Sequence, residues 1–213
     1  MTTPLWTPSA ERIAKANINA FRSFVNKRHA LHLENYEALY QWSIDQTAPF
    51  WEAVWDFCKV IGDKGKHLIQ NEHSMRDCQF FPEARLNYAE NLLFPHQKPL
   101  KTAVTFWGED KVKRRVTVGE MRDQVSQIQQ FLRSHGVGVG DRVAAYMPNL
   151  PETTLAMLAT ASLGATWSSA SPDFGVQGVL DRFGQIEPTV LVAVDGYYYN
   201  GKWNDCTSKL AEI

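Results

Sequence analysis

Between Arg142 and Asp195 the sequence alternates three short strand-like runs with two helical ones: RVAAYMP, LPETTLAMLATASLG, ATWSSAS, FGVQGVLDRFGQIEP and TVLVAVD. None of the strand-like runs carries the polar alternation of a half-solvated sheet. Strands of that kind, spaced by helices of this length, belong to a parallel sheet covered on both faces. The pattern predicts an α/β fold: a largely parallel sheet flanked by helices. Just ahead of it, KTAVTFWGED and KVKRRVTVGE read as two strands of a hairpin around a polar turn. VGEMRDQVSQIQQFLRSHG then reads as an amphipathic helix, with Met121, Val125, Ile128, Phe131 and Leu132 as its apolar stripe and Gly136 as its stop.

The first part of the chain is of another kind. Residues 1–98 hold four of the seven tryptophans and read as helices between irregular stretches, a helical aromatic-rich appendage to an α/β region over 99–213. One helix is expected from about Glu34 to Ser43, with Tyr36, Leu39 and Tyr40 on one side. A second is expected to start at Thr47 as N-cap with Pro49 in its first turn, to bury Trp51, Val54, Trp55 and Cys58, and to stop at Gly62. Residues 61–80 read as a connector. FPEARLNYAENLLF resumes helical character, with Leu86, Ala89 and Leu93 on one side.

Charge and cysteine content narrow the function. The 213 residues carry a formal net charge of -1, which argues against nucleic acid as a main partner. The densest basic run, Lys111, Lys113, Arg114 and Arg115, sits beside Glu109 and Asp110 and reads as a solvated hairpin. The longest apolar stretch, Leu155 to Leu163, is too short to span a membrane, and the opening MTTPLWTPSAERIAKANI lacks the cationic and apolar regions of a secretory leader. Three dispersed cysteines without a CxxC, and His67 and His73 six residues apart, suggest neither a disulfide framework nor a metal site. Reduced thiols in a cytoplasmic protein are the expectation.

The glycines of SHGVGVGDRVAAYMPN resemble a phosphate loop only superficially. A dinucleotide-type loop follows a strand and opens a helix, so that a helix N-terminus faces the anion. Here the helix precedes the glycines and the strand follows, so the helix end they meet is a C-terminus, with partial negative charge. Gly136, Gly138 and Gly140 are expected to stop the helix and turn the chain. Ligands of a parallel sheet gather at the C-terminal ends of its strands. Those ends are Met147–Asn149, Ser168–Asp173 and Asp195–Lys202. At the second, Ser171 or Asp173 suits a helix N-cap as well as a ligand contact. At the third, Asn200–Gly201 signals a tight turn, the three preceding tyrosines alternate across a strand, and Lys202 is placed either to meet an anion or to stay solvated. No G-x-S-x-G elbow is present for a serine nucleophile.

The stretches LENYEALYQWSIDQTAPFW, ARLNYAENLL, RVTVGEMRDQV, GVGVGDRVAAYMPNLPE and SLGATWSSASPDFGVQGVLDRFGQIEP together resemble the adenylate-forming acyl-CoA synthetases. SPDFGVQGVLDRF and YNGKW are most similar to the acetoacetate-activating branch; the acetate and propionate enzymes carry a GGFSPE-like turn at that place. The resemblance runs from about Leu33 to Trp203. It implies an ATP-dependent, Mg²⁺-assisted conversion of acetoacetate and CoA to acetoacetyl-CoA through an acyl-adenylate, with AMP and pyrophosphate released. It also implies that this chain is the first third of such an enzyme, incomplete at Ile213. The phosphate loop, the nucleotide aspartates and the catalytic lysine would then lie in further polypeptide, and the chain alone would be inactive and inclined to self-associate through the apolar helix 151–163 and strand 189–195. By the same resemblance, Tyr199 and Lys202 occupy the places of an arginine pair that contacts CoA phosphates, with Asn200 and Gly201 between them. Ser171, Pro172 and Asp173 occupy the turn lining the pantetheine entrance. Lys202 keeps the charge and Tyr199 does not. An acetate/propionate-type synthetase, a nicotinamide-dependent oxidoreductase and a non-catalytic binding module are the competing readings. The reversed glycine order weighs against the oxidoreductase.

Overall fold

The computed structural model describes residues 4–94, 98–109 and 112–213, so Asp110 and Lys111 of the charged run lie outside the described residues. Packing divides the chain into two compact units at Leu86/Asn87, ahead of the composition change at residue 98. No helix among the described residues is long and apolar enough to cross a membrane.

The first unit holds helices α1 (Ala10–Ala14), α2 (Asn17–His29), α3 (Tyr36–Asp45) and α4 (Thr47–Phe57). Four two-residue strands follow: β1 (Gly62–Asp63), β2 (Ile69–Gln70), β3 (Gln79–Phe80) and β4 (Arg85–Leu86). β1 pairs with β4 and β2 with β3, all antiparallel. Phe21 and Val25 of α2, Leu39 of α3 and Ala53 of α4 form the core, closed by Phe50, Val54 and Phe57. Asn35 caps α3 by accepting from the Ala38 N–H at 2.9 Å.

Several expectations for this unit are corrected. Thr47 does not cap α4; it is the first helical residue, and its hydroxyl donates back to the Ile44 carbonyl. The buried face of α4 is Phe50, Ala53, Val54 and Phe57, one position from the expected stripe. Trp51 and Trp55 instead meet Phe80 and Phe81, with ring centroids 5.7 and 5.0 Å apart. The end of the stretch 61–80, read as a connector, together with Phe81 just after it, thus gives α4 a second apolar partner. Gly62 opens β1 rather than stopping the helix; a Cβ there would lie 2.7 Å from Leu86 Cβ. Leu86 is therefore in a strand, half exposed, while Ala89 and Leu93 are buried as expected.

The second unit begins with α5 (Tyr88–Leu93). Strands β5 (Thr102–Gly108) and β6 (Val112–Thr117) pair antiparallel as the expected hairpin. Thr117 and Glu120 form a capping box at the start of α6 (Val118–Ser134). Val118, Met121, Val125 and Leu132 of α6 are buried, but Phe131 is more than half exposed and lies against His135. Gly136 and Gly140 both take positive φ, 84° and 85°, and the Gly138 N–H donates to the Asp141 carboxylate at 2.8 Å. These glycines turn the chain into the next strand, as their order demands.

The central sheet is β7 (Arg142–Tyr146), β8 (Thr166–Ala170) and β9 (Val190–Ala193), all parallel, in the order β8–β7–β9. The crossovers are α7 (Pro151–Ser162) and α8 (Val176–Phe183). Alternation along β7 sends Val143 to the face covered by α5, α6 and α7, and Ala144 and Tyr146 to the face covered by α8. An antiparallel hairpin, β10 (Gly196–Tyr199) with β11 (Lys202–Asp205), and the short helix α9 (Thr207–Glu212) complete the unit. The α7 helix, expected to lack neighbours, is enclosed by this unit itself: Leu155, Leu158 and Ala159 are fully buried. Only one face of β9 stays partly open among the described residues, at Leu191 and Ala193.

Candidate functional site at the C-terminal edge of the parallel sheet

Because β7, β8 and β9 run parallel, the segments leaving them emerge at one edge. After β8 the chain turns sharply at Ser171–Phe174, the Phe174 N–H donating to the Ser171 carbonyl. The fully buried Tyr146, at the end of β7, anchors this turn from below. Its hydroxyl lies 2.6 Å from the Pro172 carbonyl and 2.8 Å from the Phe174 carbonyl. Lys209 donates to the Pro172 carbonyl from α9. Neither Ser171 nor Asp173 caps α8; Gly175 holds the cap position without a side-chain bond. The capping alternative is thus corrected: the Ser171 hydroxyl donates to Asp173 Oδ2 at 2.8 Å within the turn, and neither side chain reaches an α8 N–H.

After β9 the hairpin carries the other expected residues. Asn200 (φ 51°) and Gly201 (φ 71°) form its two-residue turn, with the positive dihedrals that the Asn-Gly pair favours. Pairing sets Tyr197 against Asn204, Tyr198 against Trp203 and Tyr199 against Lys202. Tyr197, Tyr199, Lys202 and Asn204 therefore share one face, and Tyr198 and Trp203 the other. On the first face the Tyr197 hydroxyl donates to Asp173 Oδ1 at 2.5 Å. That bond joins the Ser171–Asp173 turn to the hairpin of Tyr199, Asn200, Gly201 and Lys202. The bridge runs through Tyr197; Lys202 stays exposed at the turn. On the second face Tyr198 and Trp203 pack edge to face and line a cleft of 410 Å³ with Phe106, Trp107, Pro148 and Leu150.

The hydrogen bonds set the charge states. The Tyr197 and Ser171 hydroxyls, and Lys209 nearby, hold the Asp173 carboxyl below the ordinary aspartate range. The same bond to Asp173, aided by partial burial, pushes the Tyr197 phenol up to about 12. The phenol's contribution is complete below the ordinary tyrosine pKa and is lost as pH rises through about 12. The carboxylate's contribution is present above the ordinary aspartate pKa and is lost as pH falls through the lowered one. In Asp173→Asn the acceptor charge is gone, and the Tyr197 phenol is expected to titrate near the ordinary value of about 10. Tyrosinate absorbance, compared with Tyr197→Phe, reads this; an unmoved titration would show that Asp173 does not hold the phenol.

Tyr197 and Glu109 are the members of this edge that the sequence reading missed. For Tyr197 a signal existed, since alternation places it on the face of Tyr199 and Lys202. For Glu109, which reaches the hairpin from 91 residues away, local sequence holds none.

A strand edge of this build, with a turn and a hairpin held together above a parallel sheet, is what a ligand-binding α/β domain presents. The AMP-binding enzyme family model matches residues 94–212, and a model described as acetyl-coenzyme A synthetase N-terminus matches residues 36–92. The chain belongs to the AMP-binding enzyme family. The particular proteins it is similar to are acetoacetyl-CoA synthetases. It is 50% identical over 210 residues to the acetoacetyl-coenzyme A synthetase of Rhizobium meliloti, covering 99% of this chain and 32% of that protein. Against the acetoacetyl-CoA synthetase of Danio rerio it is 42% identical over 212 residues, 98% of this chain and 31% of that protein. The solved structure of acetoacetyl-CoA synthetase from Streptomyces lividans superimposes with a TM-score of 0.90 at 41% identity, over 99% of this chain and 33% of that one. The chain thus spans about a third of the length of the relatives it matches.

Proposed function

We propose that this chain is the N-terminal portion of an ATP-dependent acid–thiol ligase that joins acetoacetate to CoA. In the first step the acetoacetate carboxylate attacks the α-phosphorus of ATP, and pyrophosphate leaves. In the second the CoA thiolate attacks the acyl carbonyl of the adenylate, and AMP leaves. The observation that carries this reading is the 50% identity to an acetoacetyl-coenzyme A synthetase across 99% of the chain. ATP enters such a reaction as its Mg²⁺ complex. Among the described residues no three His, Cys, Asp or Glu side chains converge on a common point, so no residue here is assigned to the metal.

This chain's own part is on the CoA side. Lys202 offers an exposed ammonium for a charge-assisted contact to a CoA phosphate, flanked by Tyr199 and the Asn200–Gly201 turn. Ser171, Pro172 and Asp173 form the rim past which the pantetheine arm enters. The open face of β9 at Leu191 and Ala193 receives the remainder of the polypeptide, or a second copy when the chain is alone. Two measurements test the proposal. The full-length protein should catalyse ATP–pyrophosphate exchange with acetoacetate in preference to acetate and 3-hydroxybutyrate, whereas the 213-residue chain alone should catalyse none. Lys202→Ala should raise the KM for CoA, with the loss confined to the thiol-transfer step. Preference for acetate, or an unchanged KM for CoA, would overturn the acid assignment or the CoA contact respectively.

A further inference from the structure

We infer that Glu109 is a positioning residue for CoA capture: its carboxylate fixes the Asn200–Gly201 turn that presents Lys202. The inference rests on the reading of Lys202 as a CoA phosphate contact. Glu109 follows β5 and lies beside the tip of the other hairpin. One carboxylate oxygen accepts the Asn200 N–H at 2.7 Å and the other accepts the Gly201 N–H at 2.9 Å. Two successive backbone donors in a turn are a ready anion cradle. Here the protein's own carboxylate fills it, one donor to each oxygen. A phosphate arriving at this tip therefore finds the turn amides taken, and its recognition falls to the ammonium of the adjacent residue.

Two further observations agree. Glu109 holds φ at 38°, a left-handed conformation that a non-glycine residue keeps only where its surroundings fix it. The two amide donors also lower the Glu109 carboxyl pKa, as donors aimed at the charged form do. Glu109 thus ties the two hairpins together at their ends, while Tyr197–Asp173 ties β10 to the β8 turn. With both ends of β10–β11 held, Lys202 is offered in one place; with only the inner end held, the tip moves and the ammonium's position spreads.

The test is steady-state kinetics of the full-length ligase with CoA as the varied substrate. Glu109→Ala should raise the KM for CoA about fivefold, a small loss because the carboxylate acts through the position of the turn and touches no part of CoA. The effect should fall on the CoA half-reaction, with ATP–pyrophosphate exchange as the internal reference. Glu109→Gln, which keeps an acceptor oxygen, should recover part of the loss. The double variant Glu109→Ala/Lys202→Ala should be no worse than Lys202→Ala alone, because Glu109 acts through that lysine. A purely structural role would make the two losses additive and would overturn the inference. So would a fall in the KM for CoA, which would mark Glu109 as a competitor of the phosphate. If Lys202→Ala moves the KM and Glu109→Ala does not, the positioning role fails alone. If neither moves it, the CoA reading of Lys202 has failed first, and the positioning role falls with it.

Discussion

Leu155→Ala is expected to destabilise the chain by about 2–5 kcal/mol, the range for removing a fully enclosed leucine. The α7 helix is largely apolar after Glu152, and Leu155, Ala156, Leu158, Ala159 and Thr160 are buried by this unit itself. Leu155 has no exposed surface and belongs to one core with Val125 and Leu132 of α6, Val143 of β7, and Ala89 and Leu93 of α5. Truncation removes three carbons from a site that packed elements on several sides prevent from collapsing. Urea unfolding should show a lower midpoint with an unchanged slope. Leu180 of α8, 38% exposed, serves as the control, and its alanine variant should cost clearly less. Equal losses at the two positions would mean that α7 is not the enclosed helix described.

The second large effect is expected at Tyr146. Tyr146→Ala should cost about 3–5 kcal/mol, since it empties a large, fully buried position. Tyr146→Phe isolates the hydroxyl and should cost about 1–3 kcal/mol, because it leaves the Pro172 and Phe174 carbonyls without that donor. The two variants differ in what they do to the candidate site. Phenylalanine keeps the packing against α8 and frees only the turn, so it should disturb the Asp173–Tyr197 bond while leaving the sheet intact. The high phenol titration of Tyr197 reports that disturbance. The Pro172 carbonyl keeps Lys209 as a donor in this variant, so a Phe variant as stable as the parent would mean that solvent reaches the Phe174 carbonyl.

The parallel strands and their crossovers were legible because burial on both faces removes polar alternation, a property each strand carries in its own residues. The glycine turn was legible because direction along the chain settles which end of a helix faces it. Misreadings arose where a neighbour outside the local window decided the outcome. The stripe on α4 looked like Trp51 and Trp55, but Phe80 and Phe81 gave those rings a separate partner, so the core took Phe50, Ala53 and Phe57. Helix α2 was missed because it has only Phe21 and Val25 fully inside and stops on Ala30, with φ 53°, where a glycine would have flagged the end. Phe131 belonged to a helical stripe by spacing and fell outside it by packing. At this edge, the Asn200–Gly201 turn was readable from turn chemistry. The bonding of Asp173 was not, because its partner Tyr197 arrives from a different strand.

The order β8–β7–β9 bears on how the chain can be made. The central strand is synthesised first, its neighbour on one side second and its neighbour on the other side third. At each stage of emergence from the ribosome the nascent sheet offers an edge to the next strand, and no strand has to be threaded between two already paired. Arg142 reinforces the last addition, donating from β7 to the carbonyls of Ile186 and Glu187 just ahead of β9. A frame that grows outward in this way never closes over its newest strand, and among the described residues β9 holds that outer place.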